Sequence, residues 1–172
     1  MDAETIVMRA LSALGKKTRY DLHGVMPDLA AASWPSSGAH TDCSGFVAWC
    51  LRFPRKVNHP LYNKVNGGWF ETTAIHADGL ASTGFFTELT KPRPGALLVY
   101  PDSKGADGKH HEGHIGIVTQ ANEKGNGISA VAKVIHCSNG GWKSKKDAVQ
   151  ETAPTAWLGN PKSIIVWLDG TT

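Results

Sequence analysis

The stretch Thr41-Asp42-Cys43-Ser44-Gly45-Phe46-Val47-Ala48-Trp49-Cys50-Leu51 constrains the chain more than any other, because it sets a cysteine at the first turn of an apolar helix. Asp42 or Thr41 supplies the N-cap, and Phe46, Val47, Cys50 and Leu51 recur at spacings of three and four, anchoring the helix to a core. At a helix N-terminus, unpaired N–H groups and the positive end of the macrodipole favour a thiolate, the form of cysteine that attacks carbonyls. Cys43 therefore reads as a nucleophile, with Gly45 giving a substrate room to approach the backbone. A lone cysteine can equally be a small buried hydrophobe. That description suits Cys50, whereas Asp-Cys-Ser-Gly is polar where a core residue has apolar neighbours.

Three cysteines without a Cys-x-x-Cys pair argue against a disulfide framework and a cysteine-rich zinc site, and they suit a reducing compartment. The 172 residues, 41% hydrophobic and 19% charged, fit one domain spanning 1–172 with its own core. A net charge of +3 is compatible with an acidic polymer, but the lack of a dense basic run argues against nucleic acid. Residues 1–11 carry acids where an export signal needs positive charge, and Arg9 interrupts the apolar stretch, so no classical signal is visible. No apolar run approaches the roughly 20 residues a bilayer-spanning helix needs. The expectation is a soluble protein without integral membrane association, one that reaches any substrate outside the cytoplasm through a delivery or secretion partner.

Residues 2–14 place Ile6, Val7, Ala10, Leu11 and Leu14 on one helical face, with Asp2 as N-cap and Gly15 as the stop. Residues 16–40 mix Tyr20, Gly24, Pro27, Trp34, Pro35 and Gly38, the texture of an ordered surface loop that lines a site. Residues 53–66 show neither periodicity and read as a flap beside the cleft, while 71–80 form a short helix ending near Gly79 with Ile75 inward. From Phe85 onward strands are expected at 86–89, 96–100, 114–120, 130–135 and 163–168, joined by connections at 101–113 and 122–127. Helices first and strands after make an α+β pattern, with N-terminal helices packed on a central antiparallel sheet of about five to six strands.

A cysteine nucleophile needs a base, and the base needs a partner that holds its tautomer. Among eight histidines, His114 opens the apolar run His114-Ile115-Gly116-Ile117-Val118, and His136 ends the apolar run 131–135. Adjacent antiparallel strands bring His136 beside His114; the alternative for each is a core histidine with a satisfied hydrogen bond. His110 and His111 fall in an exposed connection, and His23, His40, His59 and His76 lack a patterned context. A metal site from His110 or His111 with His114 and Cys137 can be drawn, but His111-Glu112-Gly113-His114 reverses the His-Glu-x-x-His order and is broken by glycine.

Asp42-Cys43-Ser44-Gly45-Phe46-Val47, Pro94-Gly95-Ala96-Leu97 entering a strand, Gly113-His114-Ile115-Gly116-Ile117-Val118 and Val134-Ile135-His136 together resemble the NlpC-type papain-like cysteine peptidases of bacterial cell walls. The resemblance runs from about residue 20 to the C-terminus. It implies a papain-like fold, Cys43 as nucleophile, His114 as general base and acid, and His136 as the orienting third member. Asp42 and Ser44 match positions that recognise the free amine of a stem peptide's L-alanine, and Tyr20 matches a tyrosine that lines the cleft and helps the oxyanion site. The family has a second glycine where Val25 follows Gly24. Trp69, Phe70 and Trp142 read either as sugar or peptide contacts, Trp69 foremost, or as core aromatics.

The implied activity is a peptidoglycan endopeptidase that cuts stem peptides at the γ-D-glutamyl–diamino acid bond through a thioester, with no metal or organic cofactor. The alternatives are a CHAP-type N-acetylmuramoyl-L-alanine amidase using the same Cys-His pair, and an inactive wall-binding module of the same fold. The expected settings are a phage lysin or a secreted effector acting on the wall.

Overall fold

The computed structural model describes residues 1–172 apart from His23, Val25, Ser37 and Glu123, so the expectations for His23 and Val25 fall outside the described residues. The helical half comprises α1 (Ala3–Leu11), two short strands β1 (Arg19–Tyr20) and β2 (His40–Thr41), α2 (Cys43–Cys50), α3 (Pro60–Asn66) and α4 (Thr72–Ala81). There follow β3 (Phe86–Leu89), β4 (Leu97–Tyr100), β5 (Ser103–Lys104), β6 (His110–His111), β7 (His114–Ala121) and β8 (Val131–Cys137). The chain closes with α5 (Asn139–Lys145), β9 (Val149–Thr152), α6 (Thr155–Leu158) and β10 (Ile164–Leu168). None of the described helices is long and apolar enough to cross a membrane.

The Asp2 carboxylate caps α1 by accepting from the Thr5 N–H at 2.7 Å. That helix closes at Ser12 rather than at the expected Gly15. Every residue of α2 is buried, because the helix is enclosed by α1, the preceding loop and the sheet rather than resting one face on a core. Arg9 explains why a cation interrupts the first apolar stretch. Its guanidinium, 3.9 Å from the Trp49 ring centroid, donates to the carbonyls of Trp49 and Cys50 at the C-terminal end of α2 and to those of Leu29 and Ala31 in the loop that precedes α2. Acceptors left over at a helix end are thereby satisfied inside the core.

The main sheet has six strands in the order β3-β10-β4-β7-β8-β9, every pair antiparallel. This is the expected α+β architecture. Alternation along the strands sorts side chains to two faces. Leu97, Val99, Ile115, Ile117 and Ile135 pack with the helices, while Leu98, Val118, Val134 and Ile165 pack with Trp157 of α6 on the other side.

The expected connection at 101–113 contains the β5–β6 pair, and the expected flap at 53–66 contains α3, started by Pro60 at its first turn. Only Tyr62 of α3 is buried, which is why that helix leaves no apolar periodicity in the sequence. The sixth strand, β9 (Val149–Thr152), reads weakly because it is four residues long and only Val149 among them is apolar and buried.

Candidate active site

Cys43 is the first residue of α2, and the Asp42 carboxylate caps the helix by accepting the Gly45 N–H. The same carboxylate receives Arg55 Nη1 on Oδ1 at 3.0 Å and Arg55 Nη2 on Oδ2 at 2.8 Å. Ser44 Oγ donates to Asp42 Oδ1 at 3.1 Å and accepts from Arg55 Nη1 at 2.8 Å. Both residues expected to meet a substrate amine are thus engaged by Arg55. The space at Gly45, expected to admit substrate, is taken up as well: a Cβ there would lie 2.3 Å from Thr41 Oγ1, 3.0 Å from Asp42 Oδ1 and 3.2 Å from Arg55 Nη1. Glycine is required so that the cap and the ion pair can close over the helix start.

Cys43 is 6% exposed. Burial, reinforced by the Asp42 charge, pushes its thiol up to about 12, against the opposing pull of the Ile115 and Ser44 N–H groups and of Arg55. The resting sulfur is a protonated thiol rather than the thiolate a helix N-terminus alone would favour, because desolvation outweighs the dipole.

His114 opens β7 and His136 lies on β8, one strand over. His114 Nε2 and His136 Nδ1 are 2.8 Å apart, with the rings perpendicular at a centroid distance of 4.9 Å. Gly116 makes this possible: a Cβ there would stand 3.0 Å from His136 Cβ and 2.6 Å from Val134 Cγ1. Trp157 stacks on the His114 ring at 5.0 Å and meets His136 edge-on at 5.3 Å. Burial, joined at His114 by His136 itself, pushes His114 down to about 3, and burial pushes His136 down to about 4. Both imidazoles are neutral near pH 7, as a general base must be.

The two halves meet at the start of β7. Cys43, Asp42 and Ser44 line a cavity of about 210 Å³, and His114 lines an adjoining one of about 250 Å³; Tyr20, Glu112 and Gly113 belong to both. The Ile115 N–H, next in sequence to His114, acts on the Cys43 sulfur. No direct hydrogen bond joins that sulfur to the His114 ring among the described residues. Tyr20 is held in place by pairing of β1 with β2, which sets it opposite Thr41. Burial, with the Cys43 and Asp42 charges behind it, holds the Tyr20 hydroxyl above its ordinary range, so it remains a donor.

Trp69, 45% exposed, stands on a third cavity with Arg55, whose guanidinium carbon lies 5.6 Å from its ring centroid. Leu22, Asn66 and Glu71 link that cavity to the one at Cys43, so a groove runs from Trp69 past the sulfur to His114. Phe70 is a core residue, and Trp142 is partly buried against the same core. Cys50 and Cys137 are fully buried. Among the described residues, no group of three or more His, Cys, Asp or Glu side chains is arranged to hold a metal ion.

Sequence reasoning missed Arg55, Glu112 and Trp157. The first lies in an aperiodic segment, the second in a connection, and the third on a helix of four residues, where no spacing signals a role.

Comparison with known proteins adds three findings. A family model described as the CHAP domain matches residues 33–136, a span that contains Cys43, His114 and His136 and leaves Tyr20 and everything after His136 outside. The solved structure of NlpC1 from Trichomonas vaginalis is similar to 94% of this chain, with a TM-score of 0.49 and 14% sequence identity, and the chain covers 42% of that protein. No curated protein matches.

Proposed function

The chain belongs to the CHAP domain family of cysteine/histidine-dependent amidohydrolases and peptidases, and from that premise we propose that residues 1–172 act as one catalytic unit hydrolysing peptidoglycan, with Cys43 as nucleophile. The observation that carries the reading is the 2.8 Å His114–His136 hydrogen bond at the strand end beside the helix-capped Cys43. A base held by an orienting partner is what a protonated thiol needs in order to react.

In this reading His114 takes the Cys43 proton as the sulfur attacks an amide carbonyl of a stem peptide. The oxyanion of the tetrahedral intermediate is held by the Cys43 N–H and the Tyr20 hydroxyl. Imidazolium His114 then protonates the leaving amine, giving a thioester, and the same ring activates the water that releases the acyl group. Nucleophile–base contacts in substrate-free enzymes are commonly longer than a hydrogen bond and tighten on the substrate, which fits adjoining cavities without a direct bond. Trp69 supplies an aromatic surface for the sugar or peptide flanking the cut. Released or delivered to a wall, such an enzyme is bacteriolytic.

The scissile bond proposed first is the one between γ-D-glutamate and the diamino acid. A second reading, cleavage between muramic acid and L-alanine, is favoured by one observation: Arg55 occupies the Asp42 carboxylate and Ser44 hydroxyl that an endopeptidase of this kind would turn toward a free alanine amine. Mass spectrometry of digested muropeptides separates the two. Fragments ending in γ-D-glutamate support the first, and free N-acetylmuramyl products overturn it in favour of the second.

A further inference from the structure

The His114–His136 pair does not end at His136. His136 Nε2 lies 3.1 Å from Thr152 Oγ1 on β9, outside the span matched by the family model, and Thr152 Oγ1 lies 2.9 Å from the carbonyl oxygen of Ala153. A hydroxyl has one proton, and a carbonyl oxygen can only accept. The Thr152 proton therefore goes to Ala153, so Oγ1 faces His136 as an acceptor and Nε2 of His136 must carry hydrogen. In a neutral ring Nδ1 of His136 is then bare, and His114 Nε2 must donate to it across 2.8 Å. That leaves Nδ1 of His114 as the nitrogen able to take a proton.

We propose that Thr152 is a positioning residue that fixes the tautomers of both histidines in series and so selects Nδ1 of His114 as the base. The register makes the contact local. Thr152 pairs with Val134, two residues before His136 on the neighbouring strand, so its side chain shares the face on which the two rings lie. Trp157 packs against both rings on that face, whereas Thr152 itself is exposed and reaches His136 from the solvent side. The kinetic part of the proposal rests on the hydrolase reading above; the tautomer part does not.

Long-range proton–nitrogen spectra of the uniformly ¹⁵N-labelled full chain near pH 7 test it directly. The wild type should show both His114 and His136 protonated at Nε2 and bare at Nδ1. Thr152→Val, which keeps the shape and removes the acceptor, should shift the His136 nitrogens toward a mixture and lower kcat on peptidoglycan about tenfold with little change in KM. Thr152→Ser should restore both readouts. A wild-type His114 protonated at Nδ1, or a folded Thr152→Val protein with unchanged ring shifts, overturns the proposal. If the wild type cleaves no peptidoglycan, its ring shifts still decide the tautomers, and only the hydrolase reading falls.

Discussion

Arg55 grips Asp42 with both terminal guanidinium nitrogens, at 3.0 and 2.8 Å, one residue before the sulfur of Cys43. Both partners are largely buried, at 20% and 10% side-chain exposure, so neither charge is left to water. Removing Arg55 leaves an uncompensated carboxylate beside the thiol. Arg55→Ala should destabilise the fold by about 2 kcal/mol and slow alkylation of Cys43, because it withdraws one of the influences that lower the thiol pKa. Adding Asp42→Asn should recover part of the stability in urea melts. Equal stability of Arg55→Ala and wild type would contradict this.

Gly116 is the position where a single methyl group acts on the histidine pair. Its Cβ would press on Val134 and His136, so Gly116→Ala should cost about 1–3 kcal/mol of stability by overpacking. It should also lower peptidoglycan turnover at least tenfold, because the His136 ring is displaced. Thermal melts and turnover assays check both. Unchanged turnover would show that the pair does not need its present geometry.

Thiol labelling reports which cysteine the groove exposes. Cys43 lines a cavity, whereas Cys50 and Cys137 have no exposed surface. Iodoacetamide should modify one cysteine in the native protein and three in denaturant, and peptide mapping should place the native label on Cys43. The rate should climb with pH through the alkaline range, because burial and Asp42 hold the thiol protonated. A rate already at its plateau near neutral pH would show a preformed thiolate.

Acid should destabilise the protein through the histidine pair. The folded-state values of His114 and His136 lie near 3 and 4, below the ordinary 6.5. Between about pH 6.5 and pH 4 the unfolded chain therefore binds protons that the folded chain does not, and stability falls as pH falls through that window. Urea melts at a series of pH values should show this loss in the wild type and a shallower one in His136→Asn. Identical slopes would place the pH dependence elsewhere.

The sequence makes legible the features that arise within a single element. Asp42 as a cap, Cys43 at a first turn, and His114 and His136 at the two ends of apolar runs all follow from local pattern, and the structure puts them on α2, β7 and β8. What stays hidden is what depends on a second element. Arg55 reaches Asp42 from a segment with no periodicity, Trp157 covers the rings from a helix of one turn, and Thr152 meets His136 through the pairing of β8 with β9. Nor does the sequence reveal how deeply Cys43 is buried. The polarity of Asp-Cys-Ser-Gly signals an open site, whereas the carboxylate and hydroxyl face Arg55 in a closed cluster.

In the proposed mechanism the Cys43 sulfur attacks an amide of peptidoglycan. Incubation of purified wild type and Cys43→Ala with defined muropeptides, followed by mass spectrometry of products and of the intact protein, tests it most directly. Cleavage by the wild type is expected, with a transient mass increase on the protein from the thioester, and loss of turnover by about a hundredfold or more in Cys43→Ala. Equal cleavage by the two proteins would contradict it.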